Sequence, residues 1–322
     1  MRNLRRKRRP IAAVLFLVLF LTACGKTNYT GIRLKNPEQI SETIRTTMLH
    51  RSYSVRISFM ARTLDETVLE KEMDRLVEDA LYESEDPHGG DYLRYQYGGH
   101  ELRHSQQKKM FRYRYEAQLI PNYYTSKEQE EWVDQEVEKI LATLPIGETE
   151  EGAAEESEQE MSVDRELQKI QAVRTYVEDH VEYDMVHKRI PGSKHYQSTA
   201  YGALFYHTAL CQGYSVLAYR LLKELGIENR IVTGIYKEEE VLDKKGNVEQ
   251  QKVEERHAWN LVKVGGAYYN VDFTMGDVKE NSDYFLKTEE VFKKNYTRDS
   301  QFETEEWKKT YPMGQKNLQV KE

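Results

Sequence analysis

Cysteine is almost absent from this chain. Only Cys24 and Cys211 occur in 322 residues, so the disulfide framework that holds many small exported domains together is excluded. Cys24 directly follows a predicted N-terminal leader and is expected to carry a lipid, as described below, which leaves Cys211 without a partner for an intramolecular disulfide. A lone cysteine in an exported protein is either buried filler or a reactive thiol.

Long hydrophobic runs are also missing. The apolar run at residues 11–21 is too short to span a bilayer as a mature helix, and it follows the strongly basic residues 1–10. Together they predict a secretory signal peptide over residues 1–23. Its end, Leu21-Thr22-Ala23-Cys24, resembles the bacterial lipobox, in which the cysteine is lipidated. We expect an extracytoplasmic protein anchored by lipid at Cys24 to the bacterial cell membrane; an ordinary cleavage site beside a chance cysteine is the alternative.

Negative charge outweighs positive charge outside this leader. The formal net charge is −7 and six basic residues lie in the leader, so the remainder carries −13. A surface of that sign does not attract nucleic acid or anionic lipid, and we expect no nucleic-acid partner. With 39% hydrophobic and 11% aromatic residues the chain is not a disordered one, and its length allows two domains.

Residues 24–122 are predicted to form a small α+β domain with an antiparallel sheet. Apolar residues recur there at helical spacing in some segments and alternate with polar ones in others. The patterns predict a helix at 37–48, a strand at 52–61, a helix capped by Asp65 that ends near 82, and strands at 92–97 and 110–120.

A possible zinc motif lies between the last two of these strands. His100-Glu101-Leu102-Arg103-His104 fits the H-E-x-x-H pattern of zinc peptidases, which needs both histidines on one face of a helix. Gly98-Gly99 precedes the motif and no apolar helical pattern surrounds it. We therefore expect a solvated hairpin there and no metal site.

Residues 123–322 are predicted to form the second domain. An acidic linker or loop is expected at 147–162, because its glutamate-rich sequence has almost nothing to bury. The other expected elements are a helix that begins at Ser126, a helix at 163–180, a strand at 229–236, a charged excursion at 238–255 and a short strand at 284–286.

The residues with the clearest chemistry lie between positions 200 and 272. Cys211 lies at the start of a helical pattern of apolar residues that ends at Gly226. At a helix N-terminus, the unpaired N–H groups and the positive end of the helix dipole favour the thiolate, which is the nucleophilic form of cysteine.

A hairpin with a two-residue turn at Gly265-Gly266 is predicted after this helix, with strands at 256–264 and 267–273. In this register Trp259 lies opposite Asp272, and His257 is a diagonal neighbour of Asp272 on the same face. A histidine oriented by a carboxylate is the general base that a thiol needs.

Three blocks of sequence resemble the signature of the transglutaminase-like superfamily. They are Cys211-Gln212-Gly213-Tyr214, His257-Ala258-Trp259-Asn260 and Tyr269-Asn270-Val271-Asp272, and shorter matches at 181–184, 200–204 and 284–286 extend the resemblance over roughly the C-terminal half. The resemblance implies an α+β fold with a papain-like core, in which a helix bearing the cysteine packs on an antiparallel sheet bearing the histidine and the aspartate. It also implies that Cys211, His257 and Asp272 form a catalytic triad.

Members of this superfamily perform acyl transfer on peptide or glutamine amides, although some have lost catalysis. The Cys211 backbone N–H is a natural oxyanion donor, and Gln212, Tyr206 and Trp259 are candidates beside it; core packing is the alternative role of Trp259. We expect a thiol-dependent enzyme without a cofactor that hydrolyses peptide or protein amide bonds, including those of cell-wall peptides. A cross-linking transglutaminase and a catalytically idle binding or scaffold lipoprotein are the alternatives.

Overall fold

The computed structural model describes residues 36–63, 65–147, 158–186, 195–238, 253–279 and 284–318. The predicted signal peptide, the predicted lipidation site Cys24 and most of the predicted acidic linker and charged excursion lie outside these residues. Within the described part of the chain, no helix is both long and apolar enough to cross a bilayer.

A three-stranded antiparallel sheet and three helices form the N-terminal part. The elements are α1 (Pro37–Leu49), β1 (Val55–Ala61), α2 (Glu66–Ala80), α3 (Gly90–Gln96), β2 (Tyr97–Lys109) and β3 (Arg112–Tyr123), and the strand order is β1-β3-β2. Alternate side chains of β1 are buried in a core shared with α1 and α2. Asp65 caps α2, as predicted, by accepting a hydrogen bond from the Val68 N–H.

The strand predicted at 92–97 is wrong, because these residues are helical up to Gln96. Asp91, in the first turn of α3, pairs with Arg230 at 2.8 Å and accepts a hydrogen bond from the Ile231 N–H at 2.7 Å. These contacts come from a strand that is far away in the sequence, and they override the preference of the local tyrosines for a strand.

Strand β2 contains the whole H-E-x-x-H sequence. His100 and His104 are therefore about 13 Å apart along one strand, which is too far to share a metal ion. Within the described ranges, no group of three or more metal-ligating side chains is found.

The C-terminal part is built on a four-stranded antiparallel sheet with the order β8-β7-β6-β9. Its helices are α4 (Lys127–Thr143), α5 (Glu158–His180), α6 (Ala200–Tyr206), α7 (Cys211–Glu224), α8 (Phe273–Lys279), α9 (Glu289–Phe292) and α10 (Glu305–Thr310). Its strands are β4 (Glu182–Tyr183), β5 (Thr208–Ala209), β6 (Asn229–Glu238), β7 (Val253–Val264), β8 (Ala267–Val271) and β9 (Tyr296–Arg298). Buried residues of α5 and α7 pack against one face of this sheet, so the predicted α+β core, with the cysteine helix on an antiparallel sheet, is confirmed.

Several boundaries differ from the sequence-based expectations. Helix α5 begins at Glu158, so the end of the predicted acidic linker is helical; acidic residues are favourable at a helix N-terminus. The segment predicted as a strand at 284–286 is not one, and neighbouring Lys287 makes only an isolated bridge to Asn270. The sheet ends instead at β9, which was not predicted.

The β7–β8 hairpin has the predicted register. Asn260 pairs with Val271, and the two strands meet at a two-residue turn in which Gly265 and Gly266 have φ values of 57° and 86°. Both glycines are needed there, because side chains disfavour a positive φ. However, β8 ends at Val271 and not at 273, so Asp272 lies at the junction between β8 and α8.

Candidate active site

Cys211 is the first residue of α7, which is where the sequence placed it. The preceding Leu210 provides no side-chain cap, so the first N–H groups of the helix have no partner within it. Two residues later, a Cβ on Gly213 would lie only 2.4 Å from the carbonyl oxygen of Gln197. Glycine at this position therefore allows the helix start to pack against the turn that precedes α6. The Cys211 side chain is only partly exposed.

His257 lies on β7 and its imidazole is almost fully buried. Its Nε2 is 2.6 Å from Oδ2 of Asp272, and the rings of Tyr236 and Tyr296 flank it at 5.8 and 6.0 Å between centroids. Its Nδ1 is also buried, and no hydrogen bond of ordinary geometry reaches it from the described residues. Nδ1 is thus the nitrogen left to exchange a proton with Cys211.

The Asp272 carboxylate is held by four hydrogen bonds. Oδ2 accepts from His257 and, at 2.7 Å, from the Tyr296 hydroxyl. Oδ1 accepts from the backbone N–H groups of Thr274 and Met275, both at 3.0 Å. The latter two bonds cap the start of α8. The same early end of β8 that departs from the prediction therefore fixes the orientation of the carboxylate.

The charges of these three groups support one another. Burial would raise the pKa of the Cys211 thiol, but the His257 charge, together with the contacts that His257 and the Ala258 backbone make with the thiolate, outweighs burial and lowers the pKa below its ordinary value. Burial would likewise lower the pKa of His257, but the Asp272 carboxylate and the Cys211 thiolate raise it well above 6.5. A thiolate and an imidazolium are therefore favoured together at neutral pH.

Tyr296 is a functional candidate that the sequence did not indicate. Burial first, and then the adjacent Asp272, raise the pKa of its phenol, so the hydroxyl stays protonated and donates to the carboxylate. Strand β9 brings Tyr296 to the sheet from a segment with no recognisable motif, and no signal in the sequence would have found it.

Tyr183 is another neighbour of the cysteine whose role the sequence did not reveal. It lies on β4, which pairs with β5 immediately before α7. Burial raises the pKa of its phenol, and the nearby charge of Cys211 raises it further. Its hydroxyl therefore stays protonated at neutral pH, within electrostatic range of the thiolate.

The side chains of the three candidate oxyanion residues have other contacts in the structure. The Gln212 amide nitrogen donates to the carbonyl oxygens of Tyr95 and Ser198, at 2.7 and 3.3 Å. Trp259 is buried, and its indole N–H donates to Asn270 at 3.0 Å. Tyr206 is 51% exposed at the end of α6 and packs against other aromatic side chains of that helix.

Comparison with known proteins identifies the region that contains the site. Residues 155–273, which include Cys211, His257 and Asp272, match the model of the transglutaminase-like superfamily. No curated protein has a significant match to the chain.

Two solved structures are similar over part of their length. One is a TGase, with 15% identity and a TM-score of 0.25 over 68% of this chain and 51% of that one. The other is a candidate cysteine protease from Cytophaga hutchinsonii, with 12% identity and a TM-score of 0.26 over 55% of this chain and 65% of that one. The chain thus spans about half the length of the first and less than two thirds of the second. At these scores the likeness carries no argument about function.

Proposed function

Starting from the match of residues 155–273 to the model of the transglutaminase-like superfamily, we propose that this chain is a thiol-dependent acyl-transfer enzyme with Cys211, His257 and Asp272 as its catalytic residues. Its substrates are peptide or protein amide bonds, and its main reaction is hydrolysis. The observation that carries this proposal is the buried 2.6 Å contact between His257 Nε2 and Asp272, which leaves Nδ1 for the thiol.

The reaction begins with attack of the Cys211 thiolate on the amide carbonyl carbon. A carbon–sulfur bond forms and the carbonyl π electrons move to oxygen. His257 gives its Nδ1 proton to the departing amine as the carbon–nitrogen bond breaks, which leaves a thioester. Neutral His257 then takes a proton from water, the resulting hydroxide attacks the thioester, and the thiolate leaves with its electron pair.

Asp272 orients His257 throughout this cycle and stabilises the imidazolium without taking the proton. Its four hydrogen bonds keep it fixed, including the one from Tyr296. The Cys211 backbone N–H at the start of α7 would donate to the oxyanion. Of the three candidates for a second donor, Tyr206 alone makes no side-chain hydrogen bond to another described residue.

The same thioester supports amine transfer if an amine reaches it before water does. Cross-linking is therefore the alternative reaction, and an idle scaffold is the alternative to catalysis. We propose a location on the outer face of the bacterial cell membrane, with a lipid anchor at Cys24, because residues 1–24 have the order of a lipoprotein signal. Cell-wall peptides are substrates within reach from there.

The test uses residues 25–322, in which Cys211 is the only cysteine. Wild type and Cys211→Ala are incubated with peptide and isopeptide libraries, with and without a fluorescent primary amine. We expect cleavage by the wild type only, with a loss on the order of 10⁴-fold or more in the variant. Amine incorporation that exceeds cleavage would favour the cross-linking enzyme. If neither reaction occurs and a peptidyl fluoromethylketone does not label Cys211, the catalytic proposal fails.

A further inference from the structure

The turn between β2 and β3 carries large apolar side chains into solvent. Met110 is 85% exposed and Phe111 is 90% exposed, the highest values for large apolar residues in the part of the chain that the structure describes. We call residues 108–114 the hairpin tip. Its remaining members are Lys108, Lys109, Arg112, Tyr113 and Arg114.

Local folding rules do not explain this choice of residues. Lys109 pairs with Arg112, so Met110 and Phe111 form a two-residue turn. Met110 has a φ of 51°, and Phe111 is not among the residues of positive φ, a pattern in which glycine is favoured at the first position. Directly opposed like charges, here Lys109 and Arg112, also disfavour strand pairing. A turn that departs from local preferences in two respects is a candidate for a role other than stabilising the fold.

The charge of the hairpin tip is opposite to that of the whole chain. Four of its seven residues are basic and none is acidic, whereas the formal net charge of the chain is −7. Lys108, Lys109 and Arg112 are exposed, and Arg114 lies 3.7 Å from Glu116, which is outside the tip. The expectation that the surface as a whole does not attract anionic lipid therefore does not hold for this segment.

We propose that the hairpin tip inserts into the surface of an anionic lipid bilayer. Met110 and Phe111 enter the boundary between headgroups and acyl chains, and the flanking lysines and arginines contact the lipid phosphates. The inference stands on the tip alone and is independent of the proposed catalysis.

The shape of the apolar surface favours lipid over a protein partner. A stable protein interface buries about 800 Å² on each side. Here the large apolar side chains are confined to the two turn residues, and the preceding residues of β2, Ser105, Gln106 and Gln107, are polar and exposed. Two apolar side chains at the end of a hairpin, with basic neighbours, can enter the surface of a bilayer without forming a wide contact area. A nucleic acid would have to contact the basic groups first, but the outermost residues of the hairpin are the apolar pair.

The experiment measures sedimentation of residues 25–322 with vesicles. This span contains every described residue and lacks the predicted lipid anchor. The vesicles contain either phosphatidylcholine alone or phosphatidylcholine with about 30% phosphatidylglycerol, a typical anionic lipid. We expect binding to the anionic vesicles only, and weaker binding as salt is raised.

The decisive variant is Met110→Gly/Phe111→Ser, which places glycine at the position of positive φ. Its apparent affinity for anionic vesicles should fall by about 10-fold or more, because the apolar pair is lost. Its unfolding temperature should not fall, so misfolding cannot explain the loss. Lys108→Gln/Lys109→Gln should also bind less well and show a weaker salt dependence.

Tyr53→Ser is the matched control, because Tyr53 is 69% exposed in the same part of the chain but lies outside the tip. It should bind like the wild type. The proposal is overturned if the glycine–serine variant binds anionic vesicles as tightly as the wild type, or if the wild type binds neither vesicle. It is also overturned if the tip variants lose binding to RNA or to a protein while vesicle binding is unchanged.

Discussion

Two hairpins in the described part of the chain, β7–β8 and β2–β3, make opposite use of a two-residue turn. The β7–β8 hairpin turns at Gly265-Gly266, follows local turn preferences and lies mostly in the core. The β2–β3 hairpin turns at Met110-Phe111, departs from those preferences and exposes its end almost fully. Both turns have two residues, so the difference lies in chemistry and not in length.

This difference separates two ways in which a hairpin can serve a function. The glycine turn fixes a register, and register brings His257 next to Asp272. The Met110-Phe111 turn fixes nothing that the fold needs, since its side chains contact mainly solvent. We infer that the first hairpin acts through internal order and the second through what it presents outside.

The largest effect is expected at Asp272, which the register of the β7–β8 hairpin brings next to His257. Asp272→Asn keeps an oxygen to cap α8 but removes the charge that stabilises the His257 imidazolium. We expect turnover to fall on the order of 10⁴-fold, in line with loss of an orienting carboxylate. The pKa of His257 should also fall, so the alkaline limb of the pH–rate profile should move to lower pH. An unchanged profile would argue against a role for this carboxylate.

A smaller effect is expected at the hydroxyl that supports Asp272. Tyr296→Phe removes one charge-assisted hydrogen bond but keeps the ring that packs beside His257 and Trp259. We expect turnover to fall by about 10-fold, because such a bond contributes about 1.5 kcal/mol or more. Tyr236→Phe is the matched control, since Tyr236 also flanks His257 but its hydroxyl bonds to Glu238. Equal losses in both variants would show that ring packing matters and the hydroxyl does not.

The smallest effects should come from exchanging turn chemistry between the hairpins. Gly266→Ala puts a side chain at a φ of 86° with no neighbouring atom within 4 Å, so only backbone strain opposes it; the expected cost is about 1–2 kcal/mol. Met110→Gly relieves a positive φ and should not lower stability. Urea unfolding of both single variants measures these changes. A shift of the same sign and size in both would contradict the distinction between the turns.

The sequence predicted the parts of the site that follow from local geometry. The glycine pair determined the hairpin register, and the apolar pattern after Cys211 determined the helix start. The predicted strand ends two residues later than β8 does, although Asp272 is a residue type that favours the start of a helix. Tyr296 could not be predicted, because its position depends on pairing of β9 with β6 across many residues.

The hairpin tip was missed for a different reason. The alternation of side chains predicts a strand that begins at Met110, and the net charge of the whole chain conceals the local excess of basic residues. Likewise, the residues of α3 look like a strand until the contact between Asp91 and Arg230 is known. Local pattern therefore fails where a tertiary contact or an external partner determines the structure.

The most direct measurement of the central claim is the rate of alkylation of Cys211 by iodoacetamide as a function of pH. It is followed by mass spectrometry on residues 25–322, in wild type and in His257→Gln. Because the imidazolium lowers the pKa of Cys211, the wild type should stay reactive well below the ordinary thiol pKa, and the variant should lose this reactivity as burial raises the pKa. A wild-type thiol that titrates at or above its ordinary pKa, with the same profile in the variant, would contradict the account.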